Sequence, residues 1–183
     1  MLSPNNSKLF LTNSKLARLS LLVGMGLILF LFESLIPRPL PWLKPGLAHI
    51  ATLLAIYMMG FSEAIIVVMV RVLVGSLLLG NLFNPTFILS LGGGFTATFA
   101  MGVTYRYFSR IFSIFGISIL GAVVHNLIQL LLVQILIVHR MEIFYLAPVM
   151  ILSSLFTGFI VALMSFLLMK NVQLISMSES LER

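Results

Sequence analysis

The sequence predicts an all-α protein, a polytopic membrane bundle of six transmembrane helices. Three observations carry that prediction. Hydrophobic residues fill 60% of the 183 positions and charged residues only 9%, where a soluble domain carries about a quarter charged residues. The mean hydropathy is +1.15. Six apolar runs are separated by short segments of proline, glycine, asparagine or charge, and the basic residues sit mostly at the ends of those runs. Membrane topology therefore accounts for the net charge of +6, and nucleic acid is not expected as a partner. There is no cysteine, which excludes disulfides and thiolate metal sites.

The elements follow in order. Residues 1–15 read as a polar, cytoplasmic N-terminal tail, residues 16–170 as the six-helix transmembrane domain, and residues 171–183 as a cytoplasmic C-terminal tail. Lys15 and Arg18 precede the first apolar run, Leu19 to Ile36. No small-residue cleavage site follows it, so it reads as a retained span and not a removed leader. Ser20, Gly24 and Gly26 read as a small-residue face on which another helix packs closely.

This run ends in Glu33, and Pro37, Pro39 and Pro41 then alternate with other residues, followed by Trp42, Lys44 and Pro45. Proline fixes φ and holds its preceding residue extended, so this connector is stiff. Pro45 suits the first position of a helix, whose free N–H groups make a positive end. Arg38, Trp42 and Lys44 form a cationic, aromatic rim that suits a cap over an anionic or amphiphilic ligand. The same residues also suit an interfacial anchor.

The second segment, Pro45 to Gly60, carries His49 in its first turn and is short against a hydrocarbon core of roughly 30 Å. It reads as a short span or a re-entrant helix. At Gly60-Phe61-Ser62-Glu63 glycine ends one helix, Ser62 caps the next, and Glu63 lies in its first turn. The third span runs from Ser62 to Leu79 with Arg71 near its middle. Asn84-Pro85 turns the chain into the fourth, Thr86 to Tyr107, which contains Gly92-Gly93-Gly94. Three glycines weaken a helix, so a close neighbour or a ligand is expected there. The fifth span, Phe112 to Val138, is long and carries His125, Asn126 and Gln129. The sixth, Phe144 to Met169, carries Ser153, Ser154 and Thr157. Six crossings put both termini on one side, and the basic residues favour the cytoplasm for that side.

Charged and polar groups at membrane depth mark function by default. Arg71, Glu33, His49, His125, Asn126 and Gln129 come from four segments, yet most fall between the midplane and the outer surface. That shared depth implies a polar cavity opening outward beneath the proline-rich rim. The plainer alternative is that these groups only bond helix to helix. Ser153, Ser154 and Thr157 are expected to bond their own helix backbone, and Glu63 is expected to be a first-turn surface charge. The chain has no GxxxxGK[ST] loop, no metal-spaced ligand cluster and no Ser–His–acid arrangement. No cofactor and no metal are expected.

The runs FESLIPRPLPWLKPGLAHIATLLAIY, RVLVGSLLLGNLFNPTFILSLGGG and GISILGAVVHNLIQLL resemble the Gx transporter family of small bacterial membrane proteins, widely labelled heptaprenyl diphosphate synthase component I. The resemblance covers about residues 17 to 170 and implies a likeness to the substrate-binding (S) components of energy-coupling-factor transporters. Such components are six-helix proteins with cytoplasmic termini and an outward pocket. They work with a transmembrane coupling subunit and two ATPases. The resemblance implies asparagine at the place of His49, where this chain departs from it. It makes Ser20, Gly24 and Gly26 the candidate docking surface for the coupling subunit.

The expected function is therefore uptake of a small anionic or amphiphilic molecule, a vitamin or an isoprenoid or quinone precursor, across a bacterial plasma membrane. Arg71, Arg38 and Lys44 would attract the anion, with Glu33 beside them as a titratable group. His49, His125, Asn126 and Gln129 would orient the ligand, and Trp42 would cover it. The alternative is a non-catalytic accessory of a heptaprenyl diphosphate synthase or of quinone biosynthesis. The chain is not expected to be an enzyme. Prenyl diphosphate synthases hold magnesium with clustered carboxylates, and this sequence has no aspartate and no paired glutamates. A third reading is an assembly subunit of a membrane redox complex.

Overall fold

The computed structural model describes the backbone of residues 4–36 and 46–181, and the side chains of 13–36 and 46–172. Within those residues the fold is all-helical. The α-helices are α1 (Pro4–Leu35), α2 (His49–Met58), α3 (Phe61–Leu78), α4 (Pro85–Phe108), α5 (Ile114–Val133) and α6 (Ala147–Leu181). A π-helical turn, Gln134–Val138, follows α5, and a 3-10 helix, Met141–Leu146, leads into α6. The proline-rich connector lies outside the described residues.

Five of these helices are long and apolar enough to cross a membrane. The sixth, α2, has 10 residues and rises about 15 Å, half the hydrocarbon thickness. Its residues from His49 to Ile56 are all buried, and it packs against α1, α3, α4 and α6. A helix apolar on every side belongs inside a bundle. Ala51, Leu53 and Ile56 of α2 accordingly form one core cluster with Leu22, Val67, Met101 and Val161 of the surrounding helices. Large apolar side chains such as Leu21, Ile28, Leu152 and Phe156 face outward, as lipid contact allows.

Local sequence sets the ends of the helices. Gly60 adopts φ 122°, a backbone that side-chain-bearing residues avoid, so α2 stops and α3 starts at Phe61. Ser62 does not cap α3 as the sequence suggests. Gly60 takes that place without a side-chain bond, and its carbonyl accepts from the Ala64 N–H at 3.2 Å. Asn84 does cap α4, accepting from the Thr86 N–H at 3.2 Å, and Pro85 takes the first helical position. Ser113 caps α5 in the same way through the Gly116 N–H.

The two polar tails differ from expectation. Helix α1 begins at Pro4 and α6 continues to Leu181. No glycine or proline interrupts residues 5–23 or 159–183, so nothing breaks either helix where the apolar run stops. The long fifth segment does not continue as a single α-helix. Its end widens into the π-helical turn and stops where His139 takes φ 55°.

Consecutive helices run in opposite directions, so α1 lies parallel to α3 and α2 parallel to α4. Lys15 of α1 pairs with Glu63 at the start of α3 at 2.5 Å, and Tyr57 at the end of α2 stacks on Tyr105 near the end of α4 with ring centroids 4.5 Å apart. Met58 also lines a groove with Met169 and Lys170 of α6. The start of α1 and the distal part of α6 therefore share one end of the bundle. The end of α1 and the start of α2 share the other.

Candidate functional site

The start of α2 lies inside the bundle, and three helices meet its first peptide groups. Glu33, on the last turn of α1, accepts from the Ala48 N–H at 2.9 Å. Arg71 of α3 donates from Nη1 to the Ala48 carbonyl. Its Nη2 lies 3.3 Å from His49 Nδ1. A guanidinium only donates, so Nδ1 is the acceptor and the His49 proton sits on Nε2. The His49 ring meets the His125 ring of α5 edge to face, with centroids 4.6 Å apart. Glu33 and Arg71 are each only 2% exposed. Opposite charges bracketing one peptide unit at this depth offset much of each other's desolvation.

The glycine triplet of α4 makes the convergence possible. A Cβ on Gly93 would lie 2.9 Å from His125 Nδ1 and 3.1 Å from Gln129 Cγ, and one on Gly94 would lie 3.8 Å from Arg71 Nη2. On the opposite wall, a Cβ on Gly26 would lie 3.4 Å from Arg71 Cδ. Side chains from α3 and α5 thus approach each other over bare α4 backbone. Gln129 is fully buried, and neither of its amide atoms has a hydrogen-bond partner among the described residues. The same is true of His49 Nε2 and Arg71 Nε.

The space among these groups is small. One void is lined by Glu33, Ala48, His49, Arg71, Ser90 and His125, and a second by His49, Ser118, Ala122, His125, Asn126 and Thr157. Each has about 10 Å³, room for about one water. The expected convergence is present, with these two voids among its side chains; the expected outward opening falls at the proline-rich rim, which lies outside the described residues. A larger groove of about 480 Å³, with Tyr57, Phe166 and Lys170 in its walls, lies at the other end of the bundle, away from the polar cluster.

The remaining expected residues sort by position. Arg38, Trp42 and Lys44 lie outside the described residues. Asn126 lines the second void, but its Nδ2 donates to Ser154 Oγ at 2.7 Å and to the Met150 carbonyl at 3.3 Å, so its N–H groups serve α5–α6 packing. Ser153 and Ser154 bond the Met150 carbonyl of their own helix, as expected. Ser20, Gly24 and Gly26 do not form one face. Gly26 is buried against Ala51 and Arg71, whereas Ser20 is exposed and Gly24 has nothing within 4 Å of a Cβ position. Residues two apart on a helix point about 200° apart, so only Ser20 and Gly24 share an outward stripe.

Three participants escape a reading of the sequence. Ala48 acts through its backbone, which no residue type announces. Ser90 and Ser118 look like ordinary small helix residues. Only their positions, Ser90 half a turn before the glycine triplet and Ser118 two turns before His125, hint at a role. Among the described residues, no three His, Cys, Asp or Glu side chains group as metal ligands.

A family model described as heptaprenyl diphosphate synthase component I matches residues 22–168. No curated protein and no solved structure matches the chain.

Proposed function

The chain belongs to the heptaprenyl diphosphate synthase component I family, and from that premise we propose that it is the membrane-embedded substrate-binding subunit of an energy-coupling-factor-type uptake transporter for a small anionic or amphiphilic molecule. The observation that carries this reading is the meeting of Arg71, Glu33 and His49 at the buried start of a half-length helix. Helix starts inside membranes are suited to anionic groups, and Arg71 supplies a fixed positive charge beside this one. The cluster lies towards the end where the chain leaves α1 and re-enters at α2, which is also where Arg38, Trp42 and Lys44 join the two helices in sequence. The other end carries Lys15, Arg18, Arg106, Arg110 and Lys170, a basic excess that supports a cytoplasmic position for it under the positive-inside rule. The sequence has no nucleotide-binding loop, so in this proposal the energy of ATP-driven transport comes from a coupling subunit and ATPases as partners. The likeness to substrate-binding components rests on the motif resemblance.

The test is purification of the tagged chain in mild detergent, with mass spectrometry of retained small molecules and of copurifying proteins. The expected result is an anionic small molecule that is lost in Arg71→Ala, together with ATPase and coupling subunits. Undiminished uptake in cells lacking every such ATPase would overturn the proposal. The family description favours one further reading, a non-catalytic membrane accessory of a prenyl diphosphate synthase. Under that reading a soluble, aspartate-rich synthase copurifies, and its product length changes when this chain is removed.

A further inference from the structure

The groove of about 480 Å³ at the basic end of the bundle has Tyr57 and Met58 of α2 on one wall and Phe166, Met169, Lys170 and Val172 of α6 on the other. The course of the chain makes it. Helix α2 stops at Met58 and the backbone turns at Gly60 into α3, while α6 runs on to Leu181. Past Met58 the flank of α6 that faces α2 loses its neighbour, and Val172 is exposed there. The tyrosine wall is fixed, because Tyr57 stacks on Tyr105 of α4 with ring centroids 4.5 Å apart. Lys170 directly follows Met169 and is the first charged residue after Glu142. The groove therefore crosses the level where hydrocarbon gives way to headgroups, with its cation at the outer margin and Phe166 one turn deeper.

We propose that this groove binds one anionic phospholipid, with its phosphate at Lys170 and an acyl chain along Met58, Phe166 and Met169. The proposal goes beyond the uptake reading and does not depend on it. Size favours a lipid over a helix of a partner protein. A helix about 10 Å across fills roughly 400 Å³ per turn, so the groove seats barely one turn of it, whereas its volume lies within the range of small-molecule sites, about 300 to 1,000 Å³. Charge selects the kind of lipid. Among the described residues Lys170 is the one charged side chain in the walls, and no carboxylate lines them. A phosphate thus finds a cation, while the ammonium of a zwitterionic headgroup finds no anion. Basic pockets between membrane helices at the cytoplasmic surface suit anionic headgroups for the same reason. The apolar walls run inward from the lysine, which is the order of headgroup and chain in a phospholipid.

The experiment adds lipid to the full-length chain in detergent and resolves each bound molecule by native mass spectrometry. The probes are dioleoyl phosphatidylglycerol, dioleoyl phosphatidylcholine and farnesyl diphosphate. Expected is a first phosphatidylglycerol that binds about fivefold tighter than phosphatidylcholine, the effect of one lysine near a membrane surface. Lys170→Gln is expected to remove that preference. Arg110→Gln, at the same end but outside the groove, is expected to leave it. Met58→Trp and Val172→Trp narrow the groove from different helices, and each is expected to weaken the first phosphatidylglycerol about tenfold, the loss of two buried methylenes. A preference that survives Lys170→Gln, or that falls as far in Arg110→Gln, overturns the site, as does unchanged binding in both tryptophan variants. The absence of any preference in the unsubstituted chain overturns it too. Farnesyl diphosphate that displaces the phospholipid at equal concentration, and does so only with Lys170 present, overturns the phospholipid assignment in favour of a prenyl diphosphate.

Discussion

At the scale of single residues, the weight falls on Arg71. Its guanidinium holds the Ala48 carbonyl while Glu33 holds the Ala48 N–H, so removing either charge loosens the first turn of α2 and unbalances a buried pair. Arg71→Ala is expected to destabilise the detergent-solubilised protein by about 3 to 5 kcal/mol, read as a lower thermal midpoint. Adding Glu33→Gln is expected to cost less than the sum of the two single changes, because the pair is coupled. Gly93→Ala is expected to cost about 1 to 3 kcal/mol by overpacking against His125 and Gln129. Arg71, His49, His125, Gln129 and Glu33 were all legible in the sequence, because a polar residue in an apolar run stands out and membrane depth is costly. The geometry between them was not legible. Which nitrogen meets which oxygen depends on helix rotation, and the Ala48 backbone carries no signature at all.

At the scale of elements, the short second segment was visible from its bounding Pro45 and Gly60, and it is a half-length helix wrapped by four long ones. The spacing of Ser20, Gly24 and Gly26 predicts one small-residue face on α1, but positions 24 and 26 point about 200° apart on a helix. Gly26 turns inward to give room to Arg71, and Ser20 and Gly24 remain outside. Helical continuation through the polar tails has no signal in hydropathy, since loss of hydrophobicity ends a membrane segment without ending a helix. Gly60 is the element-scale test. Its φ of 122° is strained for any residue with a Cβ, so Gly60→Ala is expected to lower stability by about 1 to 3 kcal/mol. Asn84→Ala, which removes only the cap of α4, is expected to cost about 1 kcal/mol. Thermal unfolding of the two variants side by side separates backbone strain from cap loss.

At the scale of the whole molecule, the alternation of helix direction brings both described chain ends to one end of the bundle, although one helix reaches only halfway. The absence of cysteine makes this directly testable in cells. Asn13→Cys and Asn171→Cys are expected to be protected together from a membrane-impermeant maleimide, while Arg140→Cys is labelled. Opposite labelling of the first two would show an odd number of crossings. The bracketed Ala48 peptide carries one last consequence. Its N–H and its carbonyl are each held by a side chain from another helix, so a ligand that draws Glu33 or Arg71 away from it slackens the innermost helix as it loads. Deuterium uptake in the first turn of that helix would then rise with occupancy for such a ligand and stay level for one that takes only the Arg71 Nε–H.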